Sequence, residues 1–160
     1  MNYFTTEQIQ TYLRNHGSYP YWLNRLKKSI SEQDYKVLQA ISRLSNRSYH
    51  RANNEKRQWD WDLFPDVLYS IWVKQNGLCA VTGMPLETTQ GNNFLRNPWA
   101  ASIDRLNSDM GYVKNNIRLV VHWYNNAKNT WDDKICLEAV HSWLSHINKQ
   151  TLLETNSSNK

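Results

Sequence analysis

The residues with the clearest potential for chemistry begin in the run SIDRLN, at 102–107. Asp104 offers a carboxylate, with Arg105 directly beside it. Further along, Asn125 and Asn129 are four residues apart and would share one face of a helix. A carboxylate with one or two amide carbonyls is an oxygen-only ligand set, which suits Mg²⁺, Mn²⁺ or Ca²⁺ better than Zn²⁺. The first hypothesis is a hard-metal site. The alternative is a solvated charge pair on a strand edge.

The surrounding sequence predicts the elements that would bring these side chains together. Residues 99–107 and 116–121 are predicted strands, joined by a loop that contains Gly111. A helix is predicted to follow from about residue 122 to 130. In a strand–loop–strand–helix unit, the first strand and the helix can face one another. Asp104 could therefore meet the helical asparagines.

This order of elements, with these residues, resembles the HNH family of metal-dependent nucleases, which has the ββα-metal fold. The resemblance covers roughly residues 76–131 and is carried by GLCAVTGMPL, ASIDRLNSDMGYVKNNIRLV and HWYNNAKNTW. The form Asp-Arg, Gly-Tyr and Asn in the second of these segments is similar to a subgroup common among bacteriophage and mobile-element proteins.

The resemblance also implies a role for each matching residue. Asp104 matches the metal ligand of the first strand, and Asn125 matches the ligand on the helix. Asn129 matches an extra ligand position used by some members, and Lys128 matches the family's lysine. Asn116 matches the asparagine that bonds the backbone of the metal loop and holds the first-strand residue in position. The implied cofactor is one Mg²⁺ or Mn²⁺ ion.

Arg105 departs from the family pattern, which places there the histidine that deprotonates the attacking water. Arginine, with a pKa above about 12, does not act as a base. Three alternatives remain open. His122, at the start of the helix, is the base. Alternatively, the metal alone lowers the pKa of the water while Arg105 clamps the scissile phosphate. In the third, the site is degenerate, and the protein binds DNA without cutting it.

Many HNH domains also hold a structural zinc ion between two CxxC pairs. The matching positions here are Cys79 with Thr82, and Val121 with Tyr124. Three of these four side chains do not bind zinc, so no structural zinc is expected, and Cys79 is predicted to be a small buried hydrophobe. Cys79 and the distant Cys136 are expected to be reduced thiols.

The positive charge is concentrated in the first third of the chain. Residues 1–58 carry ten Lys and Arg against four Asp and Glu, whereas residues 59–160 have a net charge of −1. This asymmetry predicts a basic arm that meets a polyanion. A helix predicted over 30–47 presents the candidate phosphate contacts, the alternative being a solvated helix flank. These DNA-binding candidates are Lys36, Arg43, Arg47 and, if the helix continues, Arg51.

Further helices are predicted over 5–15 and within 63–77, and another over 132–148, where Trp143 belongs to a continuous apolar face. The predicted organisation is a basic helical region at 1–58, a nuclease domain with flanking helices at 59–150, and a disordered tail at 151–160. The N-terminus lacks the features of a signal peptide, so a cytoplasmic protein of a bacterial or phage-infected cell is expected.

Together these features predict an α+β protein with a ββα-metal core, an N-terminal basic arm and a C-terminal packing helix. The function expected from the resemblance is metal-dependent hydrolysis of DNA phosphodiester bonds, most simply in double-stranded DNA. The rival expectation is a DNA-binding accessory protein that keeps the fold without catalysis. A third, weaker alternative is a nuclease directed at RNA.

Overall fold

The computed structural model describes residues 3–17, 21–54, 56, 58–89 and 96–157, with side chains described as far as residue 150. The polar composition of residues 88–98, TTQGNNFLRNP, predicts a loop, and residues 90–95 of it lie outside the described ranges. Among them there are six helices and one two-stranded antiparallel sheet, which confirms the α+β class. The elements are α1 (Thr6–His16), α2 (Trp22–Leu26), α3 (Glu32–Ala52), α4 (Pro65–Lys74), β1 (Ala101–Arg105), β2 (Ile117–Val121), α5 (His122–Lys128) and α6 (Asp133–Ser157).

The chain divides into two compact units, Met1–Asn125 and Asn126–Lys160. The first holds α1 to α4, the β-hairpin and the first turn of α5. The second holds the end of α5 and all of α6.

Local capping signals set where the N-terminal helices begin. The Thr5 hydroxyl accepts from the backbone N–H of Gln8, whose side chain accepts from the Thr5 N–H in return, forming a capping box. Ser31 caps α3 by accepting from the Asp34 N–H at 3.0 Å. The helix predicted over 5–15 is thus confirmed. The one predicted over 30–47 begins two residues later, after this cap, and runs on to Ala52.

The core of the first unit lies where α3 and α4 pack together and against the hairpin. Helix α1 packs on α4, α2 packs on α3, α3 meets β1, and α4 meets β2. The Gln75 side chain fixes the end of α4 to β2, because its amide donates to the Leu119 carbonyl at 2.8 Å and accepts from the Leu119 N–H at 3.0 Å. Fully buried apolar side chains from these elements include Ile9, Leu13, Leu38, Ile41, Leu68, Leu119, Val120 and Val121.

The predicted strands form a hairpin. Strands β1 and β2 are antiparallel and pair from Ala101 opposite Val121 to Arg105 opposite Ile117. This register places Asp104 directly opposite Arg118. Because side chains alternate across a strand, Ser102 and Asp104 lie on the same face of β1.

The loop between the strands packs on the connector that follows α3. The Tyr112 N–H donates to the Asp60 carbonyl at 2.9 Å, and a Cβ on Gly111 would overlap that same carbonyl oxygen. Only glycine fits there. Trp61 pairs with Tyr112 and donates from its indole to the Ser48 hydroxyl at 2.9 Å, so the connector joins α3 to the hairpin loop.

The second unit is mainly the long helix α6. The Asp132 side chain accepts from the Ile135 N–H at 3.0 Å at its start. The helix runs on to Ser157, through residues predicted as tail. Trp143 is 60% exposed, so the prediction that it belongs to the core is wrong. Within the described part of the chain, no helix combines the length and the apolar character needed to cross a bilayer.

Candidate active site

The first turn of α5 is held against β1 by hydrogen bonds. The His122 N–H donates to the Ala100 carbonyl at 2.8 Å. The Asn125 amide donates through Nδ2 to the Ser102 hydroxyl at 2.7 Å and to the Ile103 carbonyl at 2.9 Å. Ser102 shares its face of the strand with Asp104. Asp104 and Asn125 therefore lie on the same side of the hairpin, as their spacing predicts.

Asp104 is buried and ion-paired. Its side chain is 2% exposed, and Oδ2 accepts from Nε and from Nη2 of Arg118, both at 2.8 Å. The Arg118 guanidinium also lies 3.4 Å from the Tyr124 hydroxyl and 5.7 Å from the centre of its ring. Arg118 thus compensates the buried carboxylate charge. The sequence analysis missed this residue, and only the cross-strand register could have identified it.

Asn116 closes the loop that carries the first-strand residues. It is 3% exposed, and its Oδ1 accepts from the Asn107 N–H at 2.9 Å. Its Nδ2 donates to the carbonyls of Asn107 and Gly111, at 2.9 and 3.0 Å. Both ends of the amide are thus used on loop backbone, which is the bonding that the resemblance implies for this position.

Arg105 is engaged with the hairpin loop and with the connector. Its Nη1 donates to the carbonyls of Ser108 and Met110, at 2.7 and 2.9 Å. The guanidinium carbon lies 4.0 Å from the centre of the Trp59 ring and 5.2 Å from that of Tyr112. These contacts stabilise the loop. They give Arg105 a structural role at this position. Its role as a phosphate clamp stays a prediction.

His122 lies in a positively charged environment. Burial lowers the pKa of its imidazole, and the charges of Arg96, Arg47 and Arg51 lower it further, in that order. A histidine with a lowered pKa is neutral near pH 7 and is able to accept a proton. Its proposed role as the base stays a prediction.

Helix α5 ends earlier than predicted, which affects two candidate residues. Lys128 is the last helical residue and is 1% exposed. Asn129 follows in the left-handed conformation with φ of 51° and is exposed. Asn129 lies beyond the end of α5, so the prediction that it shares a helical face with Asn125 is wrong. Both residues belong to the second unit.

The four basic candidates on α3 differ in their surroundings. Lys36 is ion-paired with Glu32 at 3.4 Å, near the start of the helix. Arg43 is partly buried and donates from Nη2 to the Thr88 carbonyl at 2.7 Å. Burial, with the nearby charge of Arg47, lowers the pKa of Arg43. Arg47 and Arg51 are exposed and one helical turn apart.

Cys79 lies where the resemblance places a zinc ligand. The N–H groups of Thr82 and Val121 each donate to its Sγ at 3.4 Å. Burial raises the pKa of Cys79, but hydrogen bonds from Thr82, Val81 and Val121 outweigh it and lower the pKa overall. Three of the four positions equated with zinc ligands therefore lie together, and the fourth, Tyr124, is 5% exposed. Neither Cys79 nor Cys136 is in a disulfide.

The donor types on this face of the hairpin fit a hard divalent ion. Asp104 supplies carboxylate oxygen. Both hydrogen bonds of Asn125 described above use Nδ2, so its Oδ1 is the amide atom able to coordinate a metal. No group of three or more His, Cys, Asp and Glu residues in the described ranges is arranged to hold a metal. Mg²⁺ is commonly held by only one or two carboxylates together with waters and substrate phosphates. Arg118 competes with such an ion for Asp104.

Comparison with known proteins adds no family assignment, because no protein-family model, no curated protein and no solved structure matches this chain. The functional interpretation therefore depends on the geometry of the described residues and on the resemblance of the motif.

Proposed function

We propose that this protein is a metal-dependent HNH-type endonuclease that hydrolyses phosphodiester bonds of DNA. The observation that carries the proposal is that Asp104, on the first strand of the β-hairpin, lies on the same side of the hairpin as Asn125, on the helix that follows it. Asn116 fixes the intervening loop, as the HNH arrangement requires. Three residues spaced 12 and 9 apart in sequence thus hold related positions in one small unit.

Each residue has a definite part in this proposal. Asp104 and Asn125 hold one Mg²⁺ or Mn²⁺ ion, which when bound lowers the pKa of water and stabilises negative charge on the phosphate. Asn116 keeps the β1 end of the loop in place. Arg118 compensates Asp104 when no metal is present. His122, at the start of α5 and three residues before Asn125, is the candidate to accept a proton from water.

The decisive experiment incubates purified protein with supercoiled plasmid, with Mg²⁺ or Mn²⁺ and with a chelator. Nicked or linear product that the chelator abolishes supports the enzyme. The informative variant is Asp104→Asn, because an amide keeps the volume and can still accept from Arg118, while it loses the charge that binds the metal. Asp104→Ala would in addition remove the acceptor of both Arg118 hydrogen bonds, so loss of activity could reflect unfolding.

Asp104→Asn should abolish cleavage and leave DNA affinity close to wild type, since the loss falls on the transition state. Because the amide no longer compensates the charge of Arg118, cleavage is compared at a temperature where a thermal melt shows the variant folded. Asn125→Ala should also abolish cleavage, and the double variant should be little worse than either. Asp109→Asn is the matched control, because Asp109 is exposed in the loop between β1 and β2 and should be dispensable for cleavage. Cleavage by Asp104→Asn at the wild-type rate would contradict the proposal at its centre.

A second candidate function is DNA binding without catalysis. It is favoured by the Arg118–Asp104 ion pair, since a carboxylate already neutralised by arginine attracts a divalent ion less strongly. DNA binding with no chelator-sensitive product under any metal condition would support this candidate over the enzyme.

A further inference from the structure

A surface of the first unit combines exposed arginines with exposed tryptophans. We infer that this surface binds an unpaired stretch of DNA. It is here called the Arg–Trp surface and consists of Arg47, Arg51, Arg96, Trp99, His122 and Trp123. The guanidinium groups contact phosphates and the indoles stack on bases. This inference rests on the proposed function for the choice of DNA, and it goes further by naming a single-stranded segment as the preferred substrate.

Hydrogen bonds connect the segments that form the Arg–Trp surface. Helix α3 reaches the segment at 86–89 through the bond from Arg43 to the Thr88 carbonyl. That segment pairs with the one at 96–100, because Glu87 forms a bridge with Ala100. Ala100 in turn accepts from the His122 N–H at 2.8 Å. The middle of α3, the segment at 96–100 and the start of α5 are thus neighbours, and the charges of Arg47 and Arg51, in the last turns of α3, act on His122.

The arginines of this surface surround one histidine. Arg47, Arg51 and Arg96 are all exposed, and the charge of each acts on the His122 imidazole. Glu87, the carboxylate of the paired segments, accepts from the Asn97 amide at 2.6 Å. A surface with an excess of one charge sign attracts a ligand of the opposite sign, and nucleic-acid phosphates are the ligands that arginine binds best.

The tryptophans distinguish a single strand from a duplex. Trp99 is 39% exposed and Trp123 is 43% exposed. The Trp123 N–H donates to the Pro98 carbonyl at 2.8 Å, so the two tryptophans are close along the backbone. The Trp99 backbone is itself fixed by bonds with Asn97 and Glu87. Arginines together with exposed aromatic side chains are typical of surfaces that bind single strands, where bases are free to stack on protein.

The test measures binding by fluorescence anisotropy with the full chain in EDTA, so that cleavage does not interfere. The probes are a labelled DNA single strand of about 15 nucleotides and a duplex of the same length. Wild type should bind the single strand more tightly than the duplex. Trp123→Ala should weaken single-strand binding about tenfold and leave duplex binding nearly unchanged, because only unpaired bases stack on the indole. Trp99→Ala should act in the same direction.

Arg51→Gln should weaken binding of both probes. It should also flatten the dependence of log affinity on log salt by about 0.7 for the single strand and about 0.9 for the duplex. Two matched controls should bind as wild type: Trp131→Ala, which removes an indole that is 56% exposed in the second unit, and Lys36→Gln, which removes a charge near the other end of α3. Thermal melts verify that each variant folds.

Equal affinity for both probes, with no effect of Trp99→Ala or Trp123→Ala, would overturn the inference even if plasmid cleavage is observed. Tighter binding of an RNA strand of the same sequence would overturn DNA as the occupant. The expected binding pattern without any plasmid cleavage would leave the inference standing and remove the proposed hydrolysis.

Discussion

Arg118 is the residue that most changes how Asp104 is understood. The guanidinium side chain is 17% exposed and the carboxylate 2%, so the pair is largely removed from water. Removing one partner of such a pair leaves an uncompensated buried charge. We therefore expect Arg118→Met to lower the free energy of unfolding by about 3 kcal/mol, measured by denaturant titration.

The effect of a divalent ion on the stability of Arg118→Met tests whether the metal binds at Asp104. If Asp104 also binds Mg²⁺, the ion takes over the compensation that Arg118 provides. Saturating Mg²⁺ should then stabilise Arg118→Met more than it stabilises wild type. Arg14→Met, at the exposed end of α1, is the control. It should change neither the free energy of unfolding nor the stabilisation that Mg²⁺ gives. Equal stabilisation of both proteins by Mg²⁺ would argue against metal binding at Asp104.

Arg105 stabilises the hairpin loop, so a test of its role in catalysis must separate loss of stability from loss of cleavage rate. Its stacking on Trp59 and its two bonds to loop carbonyls predict that Arg105→Ala lowers the free energy of unfolding by about 2 kcal/mol. Arg105→Lys should recover little of this, since an ammonium does not reproduce a planar stacked guanidinium. A charge clamp predicts, in addition, a loss of cleavage rate on the order of a hundredfold at conditions where Arg105→Ala is fully folded.

Arg105→His separates the alternatives further. It restores the base of the HNH pattern beside a candidate metal ligand. A gain in cleavage rate near neutral pH would indicate that the wild-type enzyme works without an optimised base. An unchanged rate in every Arg105 variant that folds would leave this residue with the structural role alone.

At the scale of elements, local signals in the sequence predicted most of the structure. The caps at Thr5 and the turn around Gly83, where φ is 68°, depend on a few neighbouring residues, and such signals are readable without tertiary information. The hairpin was predicted for the same reason. Helix α2 was missed because five residues carry no periodicity, and it begins after Tyr21, whose φ of 67° no sequence pattern required.

In the candidate site too, some positions were predictable from local sequence and others depend on tertiary contacts. The positions of Asp104, Asn116 and Asn125 follow from spacing along a hairpin and a helix, so the sequence was sufficient. Arg118 depends on strand register, and the stacking of Trp59 on Arg105 depends on where a distant connector returns to the loop. These contacts are tertiary, and neither residue type nor spacing specifies them.

The turn that carries Cys79 gives a test of the resemblance that does not depend on catalysis. The backbone N–H groups of Thr82 and Val121 already donate to its sulfur, and cysteines at 82, 121 and 124 would complete the two CxxC pairs that the resemblance implies. We expect the variant Thr82→Cys, Val121→Cys, Tyr124→Cys to bind one Zn²⁺ per chain, measured by metal analysis after dialysis. Cobalt substitution should give the absorption of a tetrahedral thiolate site.

A serine version of the same triple variant is the matched control, because it removes the same side chains without adding thiolates. It should bind no zinc. Retention of the fold by the cysteine variant without zinc uptake would show that these four positions do not have zinc-site geometry, and the likeness to HNH domains would then lack this support.

At the scale of the whole molecule, the positive charge of residues 1–58 does not act as one uniform arm. The basic residues of α3 differ along the helix: the one near its start is ion-paired, the one in its middle is partly buried, and those near its end are exposed. Lys36 pairs with Glu32, Arg43 bonds the Thr88 carbonyl, and only Arg47 and Arg51 join the Arg–Trp surface. Net charge alone predicts that every one of these cations contributes to DNA affinity, whereas their surroundings predict that two of them do not.

Comparison of Arg43→Gln with Arg47→Gln tests this division. The two changes remove the same charge from neighbouring turns of one helix. Arg43→Gln should lower the free energy of unfolding by about 1–2 kcal/mol, because the Thr88 carbonyl loses its charged donor. Its salt dependence of DNA binding should match wild type. Arg47→Gln should leave stability nearly unchanged and flatten the salt dependence by about one unit, since exposed arginines on phosphates release counterions. If both variants flatten the salt dependence equally, DNA affinity depends on the summed charge of α3 and not on the exposed arginines of the Arg–Trp surface.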